Sequence, residues 1–119
     1  MPNEPRADLS AMHERADEAA RLLKALGNPQ RLRVLCLLVE GERSVGEIHK
    51  DLPDLSQSAL SQHLARLREE GLVRTRREAQ SIRYAVEAGP ARAVIEVLHA
   101  AYCRPSRRGA ASKRNAQSG

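Results

Sequence analysis

The apolar residues in the first third of the chain recur every three or four positions, which is the spacing of an amphipathic helix. Asn28 and Pro29, which together are typical of a helix start, divide this stretch into two predicted helices. The first ends at Gly27, and the second ends before Gly41. The two apolar stripes consist of Leu9, Met12, Ala16, Ala19, Leu23 and Leu26, and of Leu32, Leu35, Cys36 and Val39.

Two shorter helices follow. Ser44 and Glu47 have the spacing of a capping box, and Pro53 ends the helix that they open. Ser56 can cap the next helix, which is predicted to run to Glu70. Two short helices joined by a tight turn indicate a helix-turn-helix.

After residue 71 the apolar spacing changes from the helical period to alternation. Residues 72–77 and 82–86 are predicted as two strands joined by a polar turn. Gly89 and Pro90 then begin a last helix. The predicted fold is therefore mainly α with a small β-hairpin wing, a winged helix-turn-helix whose order is four helices, two strands and one helix.

This domain is predicted to span residues 8–103 of the 119-residue chain. Residues 1–7 and the basic tail 104–119 lack apolar periodicity and are predicted to be disordered. A domain of this size buries only part of its surface, so a second subunit would help to complete its core. The last helix is apolar enough to favour a homodimer over a helix that covers only its own core.

The fourth predicted helix carries short polar side chains where an ordinary surface helix would carry charged ones. Leu60, Leu64 and Leu67 lie on one side of it. Serine and glutamine can approach base edges and phosphates closely, and glutamine can pair with adenine. The residues of this helix that we predict to contact DNA are Ser56, Gln57, Ser58, Ser61, Gln62 and Arg66.

Charge is unevenly distributed along the chain. The net charge of +5 belongs entirely to residues 104–119, while residues 56–83 carry a local excess of three positive charges. Part of this excess comes from the hairpin, which supplies Arg74, Arg76, Arg77 and Arg83 beside Gln80. Incidental arginines on a solvated surface would give the same charge, but the order of cap, polar helix, leucine face and basic hairpin favours double-stranded DNA as the partner.

Composition argues against several other classes of protein. The longest apolar run, residues 34–39, is too short to cross a bilayer, and the N-terminus lacks a secretory signal. We therefore expect a cytoplasmic protein with no membrane partner. Tyr84 and Tyr102 are the two aromatic residues, which argues against binding single strands by base stacking.

Two runs of the sequence resemble the ArsR/SmtB family of bacterial winged-helix repressors. They are ALGNPQRLR, residues 25–33, and LSQSALSQHLARLREEGLV, residues 55–73. The resemblance covers residues 9–103 and implies a symmetric dimer that reads an imperfect palindrome until an inducer releases it. It implies base-reading roles for Gln57, Ser58, Ser61 and Gln62, wing contacts for Arg76, Arg77 and Gln80, and a dimer interface with Leu9, Met12, Val94, Leu98 and Tyr102.

Many members of that family bind metals, but neither metal-binding pattern of the family is present here. Residues 44–49 contain no cysteine pair, and the last helix contains His99 without the preceding Asp-x-His. We therefore predict no metal site and no cofactor. A zinc-type, metal-responsive repressor of the same fold is the alternative.

The two cysteines, Cys36 and Cys103, fit neither a disulfide scaffold nor a C-x-x-C motif. Cys36 lies on the apolar stripe of the second helix, where packing as a small hydrophobe is the simplest interpretation. Cys103 lies away from the last helix's stripe and beside Arg104, and a nearby cation favours the reactive thiolate. Cys103 is therefore the candidate for attack by an oxidant or persulfide, with Cys36 as the resolving partner if the two helices pack together.

Residues 31–38, 41–47 and 74–80 resemble the BigR/SqrR branch of the same family, whose dithiol repressors respond to reactive sulfur. The resemblance implies that Cys36 and Cys103 join through a disulfide or polysulfide bridge that weakens operator binding. It also implies a persulfide, polysulfide or oxidant as inducer and sulfide-detoxification genes as targets.

Two hypotheses from other classes stay open at this point. A small thiol enzyme is disfavoured because no C-x-x-C motif, phosphate loop, nucleophile elbow or pair of catalytic carboxylates is found, and we predict that the protein is not an enzyme. The second hypothesis is an adaptor protein that kept the fold and lost DNA binding. Such an adaptor would protect no DNA in a footprinting experiment.

Overall fold

A computed structural model describes residues 9–103. Over that range the chain forms five helices and three strands, and the predicted winged helix-turn-helix is confirmed with one additional strand. The predicted disorder of residues 1–7 and 104–119 lies outside the described residues. The order is α1 (Ser10–Leu26), α2 (Pro29–Val39), β1 (Arg43–Ser44), α3 (Val45–Asp51), α4 (Gln57–Glu69), β2 (Val73–Glu78), β3 (Ser81–Val86) and α5 (Pro90–Tyr102).

Side-chain caps begin three of the helices at the predicted residues. Asn28 Oδ1 accepts hydrogen bonds of 2.9 and 3.1 Å from two backbone N–H groups at the start of α2. Ser44 and Glu47 form the predicted capping box of α3, and Ser56 Oγ accepts a backbone N–H of α4 at 3.0 Å. Each cap satisfies N–H groups that a helix start leaves unpaired, so these residues determine where the helices begin.

The helices also end close to their predicted positions. α4 ends at Glu69 rather than at Glu70, because the chain turns at Gly71, whose φ of 76° lies in the left-handed region. No helix within residues 9–103 has the length and apolar character needed to cross a lipid bilayer.

The core lies where α2, α4 and α5 meet the base of the wing. α2 packs against α5 and also contacts α4 and β3. Because three leucines of α4 are in this core, the opposite face of α4 is turned to solvent. The fully buried side chains are Val34, Leu35, Leu38, Ile48, Leu60, Leu64, Leu67, Val86 and Ile95.

The wing is an antiparallel hairpin of β2 and β3. Ala79 and Gln80 form its turn, and Ala79 has a φ of 56°, in the left-handed region that two-residue hairpin turns require. The turn predicted over residues 78–81 is shorter in the structure because Glu78 pairs with Ser81.

The strand that the sequence pattern did not predict is β1. It pairs with β3, Arg43 opposite Tyr84 and Ser44 opposite Arg83, and gives the sheet the order β1-β3-β2. Two residues are too few for an alternating pattern, so pairing with β3 rather than local sequence makes this segment a strand. Through β1, the end of α2 is connected directly to the wing.

Candidate DNA-binding surface and cysteine pair

The exposed face of α4 carries the polar side chains predicted to read DNA. α3 packs against α4 to complete the helix-turn-helix, and Ser56 serves as the N-cap of α4. A polar helix face in this position can enter a major groove and contact base edges. The exposed residues of this face that were predicted from the sequence are Gln57, Ser58, Ser61, Gln62 and Arg66.

An ion pair ties the turn between α3 and α4 to α2. The Arg33 guanidinium donates two hydrogen bonds of 2.8 Å to the Asp54 carboxylate. This hydrogen bonding lowers the pKa of Asp54 to about 2. Since Asp54 precedes the N-cap Ser56 by two residues, the pair holds the start of α4 against α2.

The two predicted wing arginines have different surroundings. Arg76 Nε donates to both carboxylate oxygens of Glu42, at 3.0 and 3.1 Å, and Arg76 Nη2 lies 2.8 Å from Glu42 Oε1. This hydrogen bonding lowers the pKa of Glu42. Arg77 lies on the opposite face of β2, is exposed and has no hydrogen-bond or ion-pair partner within residues 9–103. Arg77 can therefore bind a phosphate without breaking an internal contact, while Gln80 is exposed at the turn.

A shallow groove of about 450 Å³ separates α4 from the wing. Ser61, Ala65 and Arg68 of α4 line one side of it, and Tyr84 of β3 lines the other. Arg68 is exposed and has no partner in the described part of the chain, whereas Arg66 lies 3.9 Å from Glu70. The prediction included Arg66 and omitted Arg68, because only the packing of the wing beside α4 brings Arg68 to the groove.

The two cysteines meet where α2 packs against the end of α5. Cys36 is half-buried on α2, Cys103 directly follows α5, and the two thiols are close enough for Cys103 to raise the pKa of Cys36. Cys103 has extended backbone angles, φ −106° and ψ 110°. The N–H of Cys103 still donates to the carbonyl oxygen of His99 at 2.8 Å, so this residue closes the last turn of α5.

Cys36 is held in its protonated form. Burial raises the pKa of its thiol to about 11, and the neighbouring Cys103 and the carboxylate of Glu40 act in the same direction. At neutral pH the Cys36 side chain is therefore a thiol rather than a thiolate. Arg104, the cation expected beside Cys103, lies outside the described residues.

Exposed apolar side chains are concentrated on α1 and α5. Two residues of the predicted dimer interface, Val94 and Leu98, are half-buried against the chain's own core. Leu23 and Val97, which the prediction did not include, are exposed. Outward apolar residues of this kind are typical of a surface that a partner covers. The outward apolar residues are Leu9, Met12, Leu23, Val97 and Tyr102, the last with 81% of its surface exposed.

The part of the chain from residue 9 to residue 103 contains no group of three His, Cys, Asp or Glu side chains arranged to hold a metal ion. The histidine of α5 lies beside a carboxylate, with His99 Nε2 2.7 Å from Glu40 Oε2. Over that range, the zinc-type alternative has no ligand set.

Comparison with known proteins identifies the family of this fold. The family described as "Bacterial regulatory protein, arsR family" matches residues 28–75, from the cap of α2 into β2. The transcriptional activator HlyU of Vibrio cholerae is 50% identical over 96 residues, which are 81% of this chain and 88% of HlyU. The chain belongs to the ArsR family. It is a DNA-binding transcriptional regulator rather than a thiol enzyme.

Further relatives within the ArsR family define its branch. The biofilm growth-associated repressor of Agrobacterium fabrum is 50% identical over 97 residues, 82% of each chain. The solved structure of reduced HlyU from Vibrio cholerae has a TM-score of 0.73 at 50% identity and covers 81% of this chain and all of that one. The repressor BigR of Xylella fastidiosa has a TM-score of 0.75 at 40% identity, covering 85% and 99%. The predicted membership in the ArsR family and its BigR-like branch is thereby confirmed.

Proposed function

We propose that this ArsR-family chain is a homodimeric repressor that binds a palindromic operator and leaves it when Cys36 and Cys103 become bridged. The inducer is a persulfide, a polysulfide or an oxidant, and the derepressed genes detoxify sulfide. The observation that carries the proposal is that the two thiols lie beside each other at the junction of α2 and α5.

The operator is read by the α4 helices of two subunits. Gln57, Ser58, Ser61 and Gln62 face the base edges, and the unpaired guanidinium groups of Arg68 and Arg77 bind phosphates beside the groove. The outward apolar residues of α1 and α5 are covered by the second subunit. A two-fold symmetric dimer presents two equivalent helices, so its operator is palindromic.

The bridge forms in two thiol-exchange steps. The Cys103 thiolate attacks the outer sulfur of an organic persulfide, RSSH; a new S–S bond forms on Cys103, the S–S bond of the persulfide breaks, and RSH leaves. Cys36 then attacks the Cys103 Sγ, which closes the disulfide and releases hydrogen sulfide. The two cysteine sulfurs are oxidised and the transferred sulfur is reduced, so the electrons balance. Cys36 acts second because burial keeps it protonated at neutral pH.

The same chemistry yields a longer bridge. When both cysteines carry a persulfide, attack of one on the other releases one molecule of hydrogen sulfide and leaves a trisulfide. Disulfide and trisulfide bridges are both reversible by thiols, which suits a sensor in a reducing compartment.

Closing the bridge acts on DNA binding through β1. A disulfide bond is about 2 Å long, shorter than a hydrogen bond between two thiols, so it draws α2 and the end of α5 together. Arg43 donates to the carbonyl group of Leu37 in α2 and lies in β1, which pairs with β3 of the wing. A shift of α2 therefore moves the wing relative to α4. A coupling free energy of about 2 kcal/mol is enough for a roughly thirtyfold loss of affinity.

Operator release tests the proposal. Footprinting on the DNA upstream of the gene locates the operator, and fluorescence anisotropy follows binding before and after addition of glutathione persulfide. Wild type is expected to bind and then to dissociate, whereas Cys36→Ser and Cys103→Ser bind and stay bound. Intact mass identifies the bridge, by loss of two hydrogens for a disulfide and by the same loss together with one added sulfur for a trisulfide.

Three results would contradict the proposal. Release of the Cys103→Ser protein by persulfide would exclude the dithiol mechanism. Stoichiometric zinc binding that lowers operator affinity would favour the metal-responsive alternative. A protein that protects no DNA would be an adaptor.

A further inference from the structure

A second contact joins α2 and α5 beside the thiol pair. Glu40 follows Cys36 by four residues, and His99 precedes Cys103 by four residues. The carboxylate and the imidazole, 2.7 Å apart, are therefore each about one helical turn from a thiol. The two helices are linked at two successive levels, thiol to thiol and carboxylate to imidazole.

Backbone hydrogen bonds fix the positions of His99 and Glu40 relative to the two cysteines. The N–H of Cys103 donates to the carbonyl oxygen of His99 at 2.8 Å. Glu40 is the C-cap of α2, and its N–H donates to the carbonyl oxygen of Leu37 at 3.2 Å. A displacement of His99 from Glu40 therefore also displaces Cys103 from Cys36.

The charged and titratable groups around Glu40 come from three elements. They are His99 of α5, Cys36 of α2 and Arg43 of β1, whose Nη2 lies 3.5 Å from Glu40 Oε1. The side chain of His99 is 27% exposed and that of Glu40 is 47% exposed. Partial shielding from water strengthens an ion pair relative to one on the open surface.

We propose that Glu40 and His99 form a positioning clasp, which holds Cys103 beside Cys36 and favours closure of the bridge. The clasp rests on the proposed function only in taking Cys36 and Cys103 as the thiols that react. The 2.7 Å contact between Glu40 Oε2 and His99 Nε2 holds the end of α2 against the end of α5. When either side chain is lost, the two helix ends separate more often and the thiols are adjacent less often.

The equilibrium between dithiol and disulfide in glutathione buffers tests the clasp. In this exchange the S–S bond of glutathione disulfide breaks, the Cys36–Cys103 bond forms, and the two protons leave on two glutathione thiols.

At neutral pH, Glu40→Gln and His99→Gln are each expected to lower the wild-type equilibrium constant for bridging about tenfold, equivalent to about 30 mV. The double variant is expected to fall no further, because both changes remove one contact. Glu96→Gln is the matched control, since Glu96 lies on α5 and pairs with Arg92 of the same helix at 3.8 Å.

The pH dependence of Cys36 alkylation distinguishes a role of Glu40 beside the thiol from a merely structural role of Glu40. In a Cys103→Ser background, Glu40→Gln is expected to shift the midpoint of the alkylation rate to lower pH, since the carboxylate that opposes the thiolate is gone. Glu96→Gln is expected to leave that midpoint in place. Thermal unfolding followed by circular dichroism verifies that the variants fold.

Equilibrium constants of Glu40→Gln and His99→Gln equal to that of Glu96→Gln, or variant effects that add in the double variant, would overturn the clasp. These equilibria involve neither DNA nor persulfide. If they behave as expected while persulfide fails to release DNA, the proposed function is wrong and the clasp stands. The opposite pair of results would retain the proposed function and overturn the clasp.

Discussion

Replacing Arg77 with alanine is expected to weaken binding to every DNA sequence and to flatten the salt dependence of binding. The Arg77 guanidinium is exposed and has no partner within residues 9–103, so it can neutralise a phosphate without an internal cost. Each neutralised phosphate contributes about −0.9 to the slope of log K against log salt concentration. Because a dimer has two wings, losing Arg77 makes that slope less steep by roughly 1.8.

Arg76→Ala is the matched comparison on the neighbouring position. Its guanidinium is held by three contacts of 2.8–3.1 Å to Glu42, which must be given up before it can bind a phosphate. We expect Arg76→Ala to change the slope by less than half as much as Arg77→Ala. Glu42→Gln releases Arg76 from its ion pair and is expected to steepen the slope, by at most about 1.8 for the dimer.

The assay is fluorescence anisotropy across a series of salt concentrations, with a labelled operator duplex and an unrelated duplex of equal length. Phosphate contacts carry no sequence information, so Arg77→Ala is expected to weaken both duplexes by a similar factor. Equal flattening by Arg76→Ala and Arg77→Ala, with no effect of Glu42→Gln, would refute the reasoning.

Three further predictions concern stability, each measured by urea unfolding. Asp54→Asn lowers the free energy of unfolding at neutral pH. The pKa of Asp54 is about 2 in the folded state and about 4 in the unfolded state, so the ion pair contributes its full stability above pH 4 and loses it as pH falls through 2. The unfolding free energies of wild type and variant are therefore expected to converge in acid. A difference that stays constant with pH would contradict this prediction. Asn28→Ala removes the acceptor of two N–H groups at the start of α2 and is expected to cost about 1 kcal/mol, and an unchanged stability would show that the cap contributes nothing. Leu64→Ala opens a cavity beneath α4 and is expected to cost about 2–5 kcal/mol, and an unchanged stability would place the core elsewhere.

Local signals were sufficient to predict most of the fold. Asn28, Ser44 and Ser56 cap helices by accepting N–H groups two or three residues away, so the information lies within one turn. The leucine face of α4 likewise follows from helical spacing alone, and it determines which face of α4 is exposed. The positions of the base-reading candidates therefore needed no tertiary information.

The remaining features depend on contacts between distant residues. β1 forms because Arg43 pairs with Tyr84 of β3. Arg76 differs from Arg77 because Glu42, 34 residues earlier in the sequence, forms an ion pair with Arg76. Cys103 lies beside Cys36 because α2 packs against α5, a contact between distant elements that the helical wheel of one helix cannot express. Sequence periodicity describes one element at a time. The sequence therefore indicated both cysteines as candidates, but it could not show how close their side chains lie.

The central claim is that bridging Cys36 to Cys103 is the event that releases DNA. The most direct test measures, in the same samples, the fraction of operator bound by anisotropy and the fraction of bridged protein by intact mass as glutathione persulfide is added. The account predicts that release follows bridging in proportion, is reversed by dithiothreitol and is absent from both Cys36→Ser and Cys103→Ser. Release that precedes bridging, or that persists in either variant, would contradict it.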